Sequence, residues 1–326
     1  MSVMQESRES INLMRLNCEL INLKNSEIYA KGINAEHHSI HYLRYRLKDL
    51  YKTAGLLGSL KRILQDAYYR VNNKKIIDFI VPFKNRKVDD YMIEDYHDVG
   101  KGVVYTAIYG NYDKLQEPLY INDNLDYYAF TDQDIPEGSI WKKMDISKYK
   151  QLEDLDDYHK AKYFKIFPYE FFPNYDFSIW VDGNVKIVSD IYPIAIIAEN
   201  SSIATYNNPL HNCIYTEKDY MIFNNRVSAS LINKQVEDYK KDGFPEQFGM
   251  RELSIIYRKH IDQEYYNIMK DWWEHVNKYT MRDQISLPYL LWKNGKDINY
   301  IKSLGDNWRL NPRFIYLDHK GLITYK

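Results

Sequence analysis

The sequence predicts an α/β domain whose mostly parallel sheet is covered by helices on both faces, preceded by an N-terminal helical extension. Two observations predict it. From about residue 101 onward, short apolar runs alternate with longer amphipathic ones, the pattern of strands and covering helices. Residues 1 to 98, by contrast, are polar, nearly free of proline and mostly helical in period. The expected organisation is therefore an extension over 1–98 and one domain over 99–326, and 326 residues suffice for a sizeable core.

In the extension, "HYLRYRLKDLYKTAGLLGSLKRILQDAYYRV" (41–71) places Leu43, Leu47, Leu50 and Tyr51 on one face. Leu57, Leu60, Ile63 and Leu64 continue the stripe after Gly55. Arg44, Arg46, Lys48, Lys52, Lys61, Arg62 and Arg70 make the polar face basic. Two readings follow: a helical hairpin packed on the main domain, or a peripheral helix on an anionic membrane surface.

In the domain, "GVVYTAIYG" (102–110) reads as a strand ended by a turn at Gly110-Asn111, "DYYAFTD" (126–132) as a second strand and "SIWKKMDI" (139–146) as a third. Residues 156–168 read as a helix stopped by Pro168. "YDFSIWVDGNVKI" (175–187) is a buried strand broken by Asp182-Gly183-Asn184. A helix near 190–199 and a short strand within 201–209 follow. Residues 216–241, 264–279 and 282–294 then read as helices, the last despite Pro288.

Composition excludes several classes. Lys and Arg (44) balance Asp and Glu (45), giving a net charge of −1, so no nucleic-acid partner is expected. Cys18 and Cys213 stand alone, with neither disulfide nor zinc spacing. No run approaches the length of a transmembrane helix, and the start lacks the order of a secretory signal. A cytoplasmic protein is expected, at the inner face of the membrane if 41–71 is an anchor. The 32 tyrosines fit either a codon bias or a polar ligand site lined by amphipathic rings.

Asp182-Gly183-Asn184 raises the question of chemistry. Ligands of open α/β sheets sit beyond the carboxyl ends of the strands, where this tripeptide lies. Two oxygen-bearing side chains two residues apart suit a hard cation such as Mg²⁺ or Mn²⁺, which also takes diphosphate oxygens. The alternative is a strand-to-turn corner, where Asp, Gly and Asn are favoured for conformational reasons. Lys162 and Lys165, one turn apart on the preceding helix, are either a solvated face or counter-charges for phosphate. Asp283, at a helix start, is either an N-terminal cap or a functional carboxylate.

Five stretches in order, "VVYTAIYGNYDKLQEP", "YYAFTD", "AKYFKIFPYEFFPNYDFSIWVDGNVKI", "GFPEQFGMREL" and "WWEHVNKYTMRDQISLPYLLWK", resemble the TOD1/MUCI70 glycosyltransferase-like domain family across about 101–320. The resemblance implies a GT-A-like, Rossmann-like glycosyltransferase that binds a nucleotide sugar through a divalent cation, Mn²⁺ or Mg²⁺, on an Asp-x-Asp motif. Asn184 stands where that pattern has its second acid; an amide oxygen ligates without adding charge, which puts metal dependence in doubt. The implied metal set is Asp182, Asn184 and a C-terminal histidine, His319. The implied nucleotide-sugar set begins with the first strand and its turn, Tyr105 to Asp113, which would hold the base and ribose, with Tyr109 stacking on the base and Gly110 permitting close approach; Asp132 would accept from base or ribose, and Lys162, Lys165 and Asp182 would lie at the diphosphate.

On the acceptor side the expected catalytic group is Asp283, as base or acceptor-orienter, with Arg282 and Gln284 beside it and Glu252 as the rival carboxylate. Glu252 otherwise reads as an exposed partner of Arg251 or Arg258. Of Trp272 and Trp273, one is expected in the core. The function so implied is transfer from a nucleotide sugar, with a UDP-sugar expected first, to a glycan or lipid-linked acceptor in bacterial surface polysaccharide synthesis. The rival is a catalytically silent nucleotide-sugar or glycan-binding protein.

Overall fold

The structure, a computed structural model, describes residues 5–37, 93–223, 226–260 and 263–319. The basic stretch 41–71, and with it the expected membrane contact, lies outside the described residues. Among the described residues no helix is long and apolar enough to cross a membrane. Two compact units divide the chain: Met1–Cys18 with Asp89–Lys326, and Glu19–Val88. Helix α1 (Arg8–His37) begins in the first, and its residues from 19 onward are what is described of the second.

The first unit is built on a seven-stranded sheet of β1 (Gly102–Ile108), β2 (Leu125–Thr131), β3 (Lys142–Lys143), β4 (Phe177–Val181), β6 (Ile203–Asn207), β7 (Arg251–Lys259) and β8 (Ile301–Ser303). Their order is β3-β2-β1-β4-β7-β6-β8. All neighbours are parallel except β7, which runs against both β4 and β6. The sheet is thus mostly parallel, as expected. Its central strands are unbroken apolar runs because both faces are covered. On one face Val103, Tyr105, Trp180 and Ile256 join the core formed with α2 (Asp157–Ile166), α3 (Pro168–Phe171), α5 (Ile214–Phe223), α6 (Ala229–Lys241), α7 (Gln263–Lys278) and α8 (Asp283–Lys293). On the other, Val104, Tyr127, Ile179 and Tyr257 pack with α4 (Pro193–Ala198) and with Trp308.

Several expectations change. The broken strand at 175–187 is two strands of different sheets: β4 ends at Val181, while β5 (Val185–Ile187) pairs with β9 (Phe314–Tyr316) in a two-stranded antiparallel sheet. Asp182-Gly183-Asn184 is the turn between them, closed by the Val185 N–H donating to the Asp182 carbonyl at 2.9 Å. The third strand contracts to Lys142–Lys143, both exposed. The helix expected at 216–241 is two, α5 and α6, and β7 was not anticipated as a strand at all.

Residues before Cys18 join the first unit through polar anchors. Arg313 donates to Glu6 at 2.6 Å with both side chains buried, and Asn17 donates to the carbonyls of Pro312 and Phe314 at 2.8 and 2.9 Å. Removing one partner of a buried pair leaves the other charge uncompensated. Glu6→Ala should therefore cost about 3–5 kcal/mol in denaturant unfolding, whereas an exposed surface glutamate would cost little.

His260, just past β7, bonds the Phe172 carbonyl and the Ser178 hydroxyl through its two ring nitrogens. Burial, together with the Arg258 charge, pushes it down from 6.5 to about 4. The unfolded chain takes up a proton as pH falls through about 6.5, and the folded chain does not until about 4, so stability should fall across that window. Melting curves across it should decline less steeply for His260→Gln than for the native chain.

Candidate active site

Three parallel strands end at one edge of the sheet. Ile108 of β1 pairs with Thr131 of β2, and Tyr105 with Trp180 of β4, so Tyr109, Asp132 and Asp182 all follow strand ends. Gly110 turns the chain with φ +63°, and a Cβ there would meet the Asp157 carboxylate at 2.9 Å. Its N–H donates to Asp132 at 3.0 Å. Gly183 is needed for close approach: a Cβ would lie 2.9 Å from Ile108 and 3.3 Å from Asp113. The glycine of the tripeptide thus lets the Asp182 turn rest against the end of β1 and the Asp113 loop.

Helix α2 enters this edge behind Asp156, whose side chain caps it by accepting from the His159 N–H at 2.8 Å. Three residues apart, Lys162 and Lys165 converge on Asp283, the first residue of α8; both ammonium groups donate to its Oδ2, at 2.8 and 2.9 Å. Lys165 also donates to Asp182 Oδ1 at 3.2 Å, which accepts from the Trp180 indole N–H at 2.6 Å. The Lys165 ammonium lies 5.4 Å over the Trp180 ring. Burial alone would raise the Asp283 carboxyl, but the two ammonium groups override it and hold it far below the usual carboxylate range. Burial opposes charge on Lys165 as well, yet Asp182 and Asp283 raise it overall, whereas in Lys162 burial wins and the ammonium is depressed.

These contacts move Asp283 away from its expected place. It is not the cap of α8, and its carboxylate lies against both lysines rather than apart from them. Its carboxylate is committed to two cations, and one so strongly ionised is a poor proton acceptor. Gln284 donates its N–H to Asp283 at 3.2 Å. Burial raises the Tyr112 hydroxyl and the Asp113 charge adds to this, while the guanidinium groups of Arg226 and Arg282 oppose it. Glu252 also departs from expectation. It is buried on β7, accepts from the Ser254 hydroxyl at 2.9 Å and faces Arg309 at 3.6 Å. Arg251 instead bonds Asn207 and the Ile301 carbonyl, and Arg258 is fully buried against Tyr105. Ser254 links this carboxylate to the cluster, its carbonyl accepting from the Asp182 N–H at 2.8 Å.

Tyr109 is half-buried and stacks on Phe164 at 6.1 Å, which covers one face of its ring. Trp272 is in the core and Trp273 packs edge-on against Tyr163. Sequence reasoning missed Trp180, although its i, i+2 spacing to Asp182 was visible, and it missed Tyr158; Tyr112 and Asp113 fell within the Tyr105–Asp113 stretch without a role of their own. Tyr112 and Tyr158 are 57% and 47% exposed beside the charged cluster. The Tyr158 ring lies 6.0 Å below the Lys162 ammonium, and Tyr112 packs on His319 at 4.5 Å. Asp113 accepts from or shares a proton with His319 Nδ1 at 3.0 Å; burial raises its carboxyl, the His319 bond opposes this and the Asp182 charge adds to it.

The profile of the TOD1/MUCI70 glycosyltransferase-like domain matches residues 83–304, more than half of the sequence. The chain belongs to the TOD1/MUCI70 glycosyltransferase-like domain family. A curated relative, "Probable hexosyltransferase MUCI70" of Arabidopsis thaliana, is 23% identical over 230 residues, 62% of this chain and 39% of that protein. The chain thus spans well under half of that relative's length. Among solved structures, the apo form of the bifunctional glycosyltransferase WbbM is similar at TM-score 0.40 and 10% identity, over 65% of this chain and 40% of that one. The mannosyltransferase Ktr4p from S. cerevisiae is similar at TM-score 0.31 and 14% identity, over 66% and 71%. At these scores the assignment rests on the family match.

In this TOD1/MUCI70 domain the residues expected to hold a divalent cation also contact other protein groups. Asp182 Oδ1 is occupied by Lys165 and Trp180. The backbone carbonyl of Asn184 accepts from the Leu317 N–H at 2.9 Å, and its side-chain amide brings no charge. His319 turns Nδ1 to Asp113 and Nε2 to the Tyr112 hydroxyl, 3.4 Å away. Among the described residues no three His, Cys, Asp or Glu side chains are grouped to hold a metal.

Proposed function

We propose that the chain transfers a hexose from a nucleoside diphosphate sugar, a UDP-sugar first among donors, to a hydroxyl of a glycan or lipid-linked acceptor. A bacterial surface polysaccharide is the proposed setting. The observation that carries this reading is the Lys162–Lys165 pair, held together by Asp283 near the carboxyl ends of β1, β2 and β4. Two ammonium groups held by one carboxylate are preorganised for a diphosphate, and ordering them before the donor arrives removes an entropic cost from binding. Tyr109, Gly110 and Asp132 lie at the neighbouring strand ends, where the base and ribose would rest, and exposed Tyr112 and Tyr158 offer further aromatic surface.

In the reaction the bond between the anomeric carbon and the diphosphate oxygen breaks, its electron pair leaving on the phosphate. The acceptor oxygen forms the new bond and loses its proton. Lys162 and Lys165 would stabilise the charge that grows on the leaving phosphate, and this is where electrostatic catalysis acts. We assign Glu252 to take the acceptor proton, since Asp283 is held by the lysines. Incubating the chain with UDP-, GDP- and CDP-sugars and an oligosaccharide acceptor should release one nucleoside diphosphate per sugar transferred. A donor that binds tightly without any transfer would favour the binding-protein reading, for which the uncharged Asn184 is the supporting observation.

A further inference from the structure

Lys165 holds the carboxylate on which a divalent cation was expected. The Asp182 oxygen facing the cluster already accepts from the Trp180 indole at 2.6 Å and from Lys165 at 3.2 Å. That lysine is not a passing surface contact. Its side chain is buried, its ammonium is 2.9 Å from Asp283 and lies over the face of Trp180, and its own carbonyl accepts from the Tyr105 hydroxyl at 3.4 Å. Anion, ring and backbone therefore fix it together. Lys162 stands beside it, 2.8 Å from the same Asp283 oxygen. Together the two ammonium groups carry the charge of one divalent cation.

From this we infer that Lys165, supported by Lys162, does the work of the metal, so that the donor diphosphate binds and leaves without a divalent cation. This rests on the donor reading given above. Asp283 is then a positioning residue, holding both cations at the distance the diphosphate requires. Asp182 fixes Lys165 from the strand side, and Trp180 fixes Asp182. The chemistry balances without a metal: the leaving phosphate oxygen gains the electron pair of the broken bond, and the ammonium groups neutralise the charge it acquires.

The direct test is calorimetric titration of Mn²⁺ alone into the native chain, with Asp182→Ala as control. No stoichiometric uptake tighter than about 1 mM is expected. In parallel, thermal stabilisation by UDP, GDP and CDP is measured with EDTA and with Mn²⁺. The nucleotide that stabilises the chain should do so equally in both, and Lys165→Met should lose the effect in both. One Mn²⁺ bound per chain and lost in Asp182→Ala, or stabilisation abolished by EDTA, would overturn the inference while leaving the donor reading intact. If no nucleotide stabilises the chain in either buffer, the donor reading fails and this inference with it. The native-chain measurements decide the matter even if Lys165→Met does not fold.

Discussion

Asp283→Asn is expected to lose donor affinity and stability together. The amide keeps the size of the carboxylate but not its charge, leaving the ammonium groups of Lys162 and Lys165, 2.8 and 2.9 Å from it, short of an anion in a buried site. Breaking such a pair costs about 3–5 kcal/mol, because the remaining charge stays desolvated. The two lysines would splay, and the diphosphate would meet a site that must be ordered on binding. Donor affinity should fall at least about tenfold, or 1.4 kcal/mol. A general base behaves otherwise: its loss lowers turnover and leaves donor binding alone. Calorimetry with the donor and a denaturant titration on the same preparation distinguish the two. Unchanged affinity and stability with turnover lost would return Asp283 to the role of base.

Glu252→Gln is expected to give the complementary result, with turnover falling by roughly 10²–10⁴ for loss of a general base. Its donor dissociation constant should stay within about threefold. Glu252 sits on β7 beside the strand that carries Asp182, held by Ser254 and near Arg309 rather than by the lysines. Glutamine can still accept from Ser254, so the local fold should persist. A Glu252→Gln chain with native turnover would remove this carboxylate from the chemistry.

What the sequence revealed follows from how local each signal is. β1, β2 and β4 were legible because strands covered on both faces are written as compact apolar runs ending in turn residues. β7 carries an equally apolar "LSIIY", but it follows a glycine-bounded stretch read as a motif, and nothing local marks an antiparallel strand inserted between β4 and β6. The Asp182 turn was seen, yet only the pairing of β5 with β9 shows that the apolar pattern resumes in another sheet. Lys162, Lys165 and Asp182 were singled out from one contiguous stretch. The convergence of Lys162 and Lys165 on Asp283 joins residues as far as 121 positions apart, and no periodicity records such a contact. The contacts of Asp113 and Tyr112 with His319 escaped for the same reason, since His319 comes from the far end of the chain.

The central claim is that the lysine pair is a sugar-nucleotide diphosphate site. Calorimetric titration of UDP-, GDP- and CDP-sugars into the native chain and into Lys162→Met tests it most directly. Lys162 is the better probe of the two, because Lys165 also holds Asp182 and its loss would disturb the strand end. The native chain should bind one of these donors one to one, and Lys162→Met should bind it at least about tenfold more weakly. Equal affinity in both chains, or no stoichiometric binding of any of the three donors to the native chain, would contradict the account.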